Sequence, residues 1–66
     1  MNDVVYIKIM RCSEVFQELP THEVARILRD LADRVEGHPH FSAGHYQNLM
    51  DVNGNNVGWV TVYAAD

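Results

Sequence analysis

Leu49-Met50-Asp51-Val52-Asn53-Gly54-Asn55-Asn56-Val57-Gly58-Trp59-Val60-Thr61-Val62-Tyr63 is the stretch that decides the fold. Asn53-Gly54 stands between two β-prone runs. Asn-Gly is the strongest short-range hairpin signal, because a type I′ turn needs positive φ at both central residues. A two-residue turn there pairs Val52 with Asn55, Met50 with Val57, Asn48 with Trp59 and Tyr46 with Thr61. Side chains alternate across a sheet. One face then carries Leu49, Gly58, Val60 and Val62, and the other carries Tyr46, Met50, Val57, Trp59, Thr61 and Tyr63. Both faces are apolar, and a single helix covers only one of them.

Upstream, Val4 to Met10 is β-branched and aromatic, which reads as a further strand. Its aliphatic face, Val5, Ile7 and Ile9, is expected to meet the helix; Val4, Tyr6, Lys8 and Met10 take the other face. Arg11 to Leu19 has no clean period, and the expectation there is a short helical turn with Phe16 and Leu19 tucked against the core. The main helix follows Leu19-Pro20, with Thr21 read as its N-cap. Val24, Ile27, Leu28, Leu31, Ala32 and Val35 form a stripe at the 3.6-residue period. Arg26–Asp30, Arg29–Asp33 and Asp30–Arg34 are spaced to pair on the opposite face, each worth about 0.2–0.5 kcal/mol. Gly37 suits a left-handed C′ position, where Pro39 then stops the helix. His38 to His45 reads as a loop and Ala64-Ala65-Asp66 as a frayed tail.

These elements predict a single α+β domain over residues 1–66 with the order β-α-β-β. One amphipathic helix packs on a three-stranded antiparallel sheet of order 1-3-2, the most apolar strand lying centrally. Pairing strands 1 and 2 in parallel through a right-handed crossover is the alternative. Gly58 is read as the place where the helix approaches the sheet closely.

Sixty-six residues lie near the lower limit for a self-sufficient core, so burial is often completed by oligomerisation or a partner. With 47% hydrophobic and 21% charged residues the composition is that of a globular protein, which excludes disorder. The net charge of −4 offers no basic patch for nucleic acid. A lone cysteine, Cys12, excludes an intrachain disulfide framework and fits a reducing cytosol. No run resembles an export signal or a membrane span, so the expectation is a soluble protein without a membrane partner.

Candidate chemistry is sparse. His38, His40 and His45, with His22 and Cys12 elsewhere, are the only constellation that suggests a metal. Their spacing departs from common zinc patterns, and a solvated loop is the preferred reading, with a metal-binding or regulatory module as the alternative function. Cys12 lacks a specified base, orienter and oxyanion site, and Asp51 beside Asn-Gly reads as a turn residue. No catalytic residue and no cofactor is therefore assigned, and the expectation is a non-enzyme. Tyr6, Met10, Tyr46, Met50, Val57, Trp59 and Tyr63 form the expected partner or dimer interface, since Trp, Tyr and Met are enriched at interfaces. A monomer rarely leaves such a patch in water. A two-fold homodimer is the simplest occupant. The alternative is that the two loops fold over the patch, with Phe16 and Phe41 filling in. Arg26, Arg29 and Arg34 on the helix are a secondary partner surface, against the plainer reading of a solvated face.

The helix "EVARILRDLADRVEG" followed by "LMDVNGNNVGWVTV" resembles a group of short, mostly uncharacterised proteins of phages, prophages and other bacterial mobile elements. The matching positions are Ile27-Leu28-Arg29, Leu31-Ala32, Arg34-Val35-Glu36-Gly37, Leu49, Asp51, Asn53-Gly54-Asn55 and Val57-Gly58. They cover about half the chain, and the histidine-rich loop departs from the pattern. By analogy with small anti-defence proteins of the anti-CRISPR type, the resemblance implies an accessory factor in the bacterial host cytoplasm. Such a factor binds a host protein complex and blocks it by steric occlusion.

Overall fold

The computed structural model describes residues 2–65, and the tail expected at Asp66 lies outside them. The chain runs through β1 (Asn2–Ile9), α1 (Glu14–Glu18), α2 (Pro20–Glu36), β2 (Tyr46–Met50) and β3 (Asn56–Ala65). The sheet order is β1-β3-β2, and both pairings are antiparallel. The α+β architecture and strand order expected from the sequence are therefore those of the folded chain. β3 reaches further than its pattern suggests. Ala64 and Ala65 pair with Asp3 and Asn2, so these two alanines extend the sheet instead of fraying.

The hairpin departs from the type I′ expectation. Tyr46 faces Thr61 and Asn48 faces Trp59 as the pattern requires, but Met50 faces Asn56 and the register shifts between Leu49 and Met50. Among the described residues no non-glycine residue has positive φ, so Asn53 cannot occupy a type I′ position. Gly54, at φ 84°, takes the left-handed conformation alone. Its N–H donates to Asp51 O at 3.0 Å, and Asp51 N–H donates to Asn55 O at 2.9 Å. This is a three-residue loop of the type I plus G1-bulge kind. The Asp51 carboxylate selects it by accepting from Asn53 N (2.9 Å), Asn55 N (2.8 Å) and Asn55 Nδ2 (3.0 Å). Val57 becomes the extra residue of a second bulge, which turns its side chain from the outer face into the core, where it is 0% exposed.

The core is formed by Phe16, Ile27, Leu31, Leu49, Val57 and Val60. Phe16 sits on α1, the short helical turn expected there, whereas Leu19 is exposed rather than tucked in. Leu19 itself, not Thr21, occupies the N-cap of α2, with Pro20 in the first turn, where its missing N–H removes no helical bond. Gly37 caps the other end in right-handed conformation (φ −84°, ψ −2°), so no left-handed C′ residue is used. Of the three helical pairs expected, Asp30–Arg34 is present at 3.0 Å, while Arg26 turns to Glu23 at 2.8 Å.

Gly58 is required by the sheet rather than by the helix. A Cβ there would lie 1.8 Å from Lys8 O, so β1 and β3 approach each other only because the side chain is absent. α2 does not lie centrally. Near its start, Glu23 accepts from Val52 N at 2.9 Å, and Arg26 donates to Met50 O at 3.1 Å. Near its end, Arg34 donates to Gln47 Oε1 once that amide is oriented to satisfy its neighbours, and Gln47 Nε2 then donates to His45 Nε2 at 3.3 Å. Ties at both ends hold the helix along β2. The expectation that it would cover Val5 and Ile7 is corrected: they remain 51% and 44% exposed.

Candidate protein-binding face

The outer face of the sheet is built by register. Tyr6 of β1, Thr61 of β3 and Tyr46 of β2 stand in one row across the strands, and Lys8, Trp59 and Asn48 stand in the next. Val4 pairs with Tyr63 beyond them. Tyr6 (46%), Tyr46 (60%), Met50 (51%) and Tyr63 (46%) are exposed, and Met10 is exposed at 39%. Trp59 is half-buried beneath Lys8, whose Nζ lies 4.9 Å from the ring centroid, a cation–π contact worth about 0.5–1 kcal/mol at such a site.

Five of the seven residues expected at the interface thus share this face, and Met10 is exposed just past the end of β1. Val57, the seventh, is sealed in the core by the bulge and is no part of the surface. Phe16 and Phe41 do not fill in over the aromatic side chains as the alternative required. Phe16 is buried in the core and Phe41 packs against that same cluster. The face is less uniformly apolar than the alternation implied, since Lys8, Asn48 and Thr61 interleave with the rings. Such a mixture can bind through aromatic contact area and fix orientation by hydrogen bonds at the same time.

A second apolar surface went unrecognised in the sequence. Between β1 and α2 lies an open groove of about 220 Å³, with Leu31 and Val60 in its floor and Val5, Ile7, Leu28, Ala32, Val35 and Phe41 along its sides. Its signal was present in the two aliphatic stripes. Its emptiness depends on where α2 docks, which no stripe encodes.

Two carboxylates are buried, and both serve the scaffold. Glu23 is 2% exposed, and the Arg26 guanidinium holds its pKa below the ordinary range; burial opposes this, and the Val52 amide reinforces it. Asp51 is 4% exposed. Burial would raise its pKa, but hydrogen bonding by the Asn55 side chain, by Ser13 and by the Asn55 and Asn53 amides outweighs this and holds it at about 2. The Ser13 hydroxyl is buried beside this turn without a hydrogen bond of ordinary geometry, so the amides and Asn55 carry most of the effect. Glu23 could have been found in the sequence, since it stands four residues before Ile27 on the buried stripe.

The loop histidines are neighbours without forming a ligand set. His38 and His40 are exposed, and the His38 ring meets the His45 ring edge-on at 4.7 Å, with Phe41 against His45 at 4.9 Å. His22 and Cys12 are exposed elsewhere. Among the described residues no group of three or more His, Cys, Asp or Glu side chains is placed to hold a metal ion. Of the three helix arginines, Arg26 and Arg34 are committed to Glu23 and Asp30, and Arg29 is exposed. No helix of the described residues is long and apolar enough to cross a membrane. Comparison of the chain with family models, with curated proteins and with solved structures finds no match.

Proposed function

We propose that this protein works by binding rather than by turnover, as an accessory factor of a phage or other mobile element. In this reading it docks on a host protein complex, a defence complex in the first instance, and occludes it sterically. The observation that carries the reading is the outer sheet face, where Tyr6, Tyr46, Met50 and Tyr63 stand exposed around Trp59 on a rigid three-stranded platform. Aromatic side chains preorganised on strands lose little entropy on docking and supply large contact area. The two carboxylates with shifted pKa values are both satisfied by structural hydrogen bonds, so neither is poised as a general acid or base.

The test is protection and capture together. Bacteria carrying a defence system are challenged with phage while expressing the wild-type chain or Tyr46→Asp, and the tagged chain is recovered from the same cells. Restored plaquing with a stoichiometric co-purifying protein, both lost in Tyr46→Asp, supports the reading. Unchanged plaquing across a panel of defence systems, with no stoichiometric partner, overturns it.

A further inference from the structure

The two edges of the sheet are not alike. β2 is five residues long, crosses the Val57 bulge of β3 at Leu49/Met50 and is tied to α2. β1 is eight residues long, regularly paired along its length, and carries no proline. Natural sheets blunt such an edge or use it.

The direction of its free groups follows from the ladder. Met10 N–H donates to Val57 O at 2.7 Å, which brackets Ile9–Gly58 as a non-hydrogen-bonded pair. Alternation then makes Ile7, Val5 and Asp3 non-hydrogen-bonded toward β3 as well, so their N–H and C=O groups point to the open edge. Those same residues direct Val5 and Ile7 side chains into the uncovered groove beside Leu28, Ala32 and Val35. A free main-chain ladder and an unfilled apolar groove therefore run side by side.

We infer that the occupant is a second copy of this chain, pairing β1 with β1 in antiparallel fashion about a two-fold axis at Ile7, to give a continuous six-stranded sheet. Charge and parity select this register. Centred on Ile7, Val5 lies opposite Ile9 of the other copy and Tyr6 opposite Lys8, and past the end of β1 the same register sets Val4 opposite Met10 and Asp3 opposite Arg11. Every acid meets a base and every aliphatic residue meets another apolar one. Ile7 opposite itself forms a hydrogen-bonded pair, as its outward main-chain groups require. Moving the axis to Tyr6 would set Asp3 against Ile9 and leave Arg11 unmatched.

Area argues in the same direction. A compact 7.5 kDa monomer exposes about 4,250 Å², whereas this chain exposes 4637 Å². Its radius of gyration is 12.9 Å against about 10.8 Å for a compact chain of this length, with extents of 41 × 23 × 17 Å. With the axis at Ile7, residues 5–9 of one β1 face the same five residues of the other, and Val5 and Ile7 bring the β1 side of the groove to that seam. The outer face stays open in this dimer, so two partner-binding faces lie on one extended sheet.

Sedimentation equilibrium over a concentration series tests the inference. The wild type is expected to be a dimer. Asp3→Arg and Arg11→Asp each weaken it about tenfold, and the double swap Asp3→Arg/Arg11→Asp restores it to within about threefold. Both positions are exposed, so the fold survives the changes. In a Cys12→Ser background, Ile7→Cys is expected to form a covalent dimer with oxidised glutathione, while Tyr46→Cys does not. A monomer at all concentrations, a dimer abolished by Tyr46→Asp, or a double swap that fails to restore association would each overturn it. The outcome is independent of the plaquing assay, so failure of one reading is distinguishable from failure of the other.

Discussion

The Glu23 carboxylate accepts a hydrogen bond from the Val52 amide at 2.9 Å, across 29 positions of sequence. The same carboxylate pairs with Arg26 at 2.8 Å, and Arg26 reaches on to Met50 O at 3.1 Å. One buried acid therefore fastens the start of the main helix to the hairpin and decides which strand the helix covers.

Removing that acid should loosen the whole arrangement. Glu23→Ala leaves the Val52 amide and the Arg26 guanidinium without their partner, at a cost of about 2–3 kcal/mol. Glu23→Gln still accepts from Val52 and should lose less. Urea denaturation followed by tryptophan fluorescence of Trp59 measures both, and equal midpoints for the two variants would count against a contribution from the Val52 hydrogen bond.

Acid should destabilise the fold in a defined window. Glu23 and Asp51 both titrate lower in the folded chain than the roughly pH 4 expected of an unfolded carboxylate, Asp51 at about 2. The folded state thus binds fewer protons than the unfolded one below that range. The stability these groups contribute is complete above about pH 5 and is lost as the pH falls toward 2. Thermal melts between pH 7 and pH 2 should show the midpoint falling only in that lower range, and Asp51→Asn should flatten the fall.

Two glycines should respond differently to a methyl group. Gly54→Ala strains a left-handed residue at φ 84° with open space around its Cβ, costing about 1–2 kcal/mol while the fold survives. Gly58→Ala drives a Cβ into Lys8 O and should separate β1 from β3. Amide exchange in β1 reports this directly: protection lost at Val4, Tyr6 and Lys8, whose N–H groups face β3, for Gly58→Ala, and retained there for Gly54→Ala.

Val57 and Met50 test the bulge. On strict alternation from a two-residue turn they would be equivalent neighbours on one face, yet Val57 is 0% exposed and Met50 51%. Val57→Ala should cost about 2 kcal/mol and Met50→Ala close to nothing. Similar losses for both would place Val57 back on the outer face.

The legible part of this protein is local. The stripe of Ile27, Leu31 and Val35, the strand pattern of β1 and β3, the turn at Asp51 to Asn55 and the outward rings of Tyr6, Tyr46 and Tyr63 can all be read within a few residues of themselves. Asn53-Gly54 lies in a turn as its sequence predicts, but in a longer loop, because the carboxylate of Asp51 binds Asn53 and Asn55 and gathers the loop around itself. That one-residue difference carried Val57 into the core and removed it from the expected interface.

By itself the sequence determined the elements, their order and the apolar character of both sheet faces, because periodicity and turn chemistry act between near neighbours along the chain. Only the tertiary structure decided which strand the helix shelters, that Glu23 binds the Val52 amide, that Gly58 serves a strand contact and that Val5 and Ile7 stay open. Those outcomes rest on hydrogen bonds and volumes shared by residues far apart in sequence, which a one-dimensional pattern does not record.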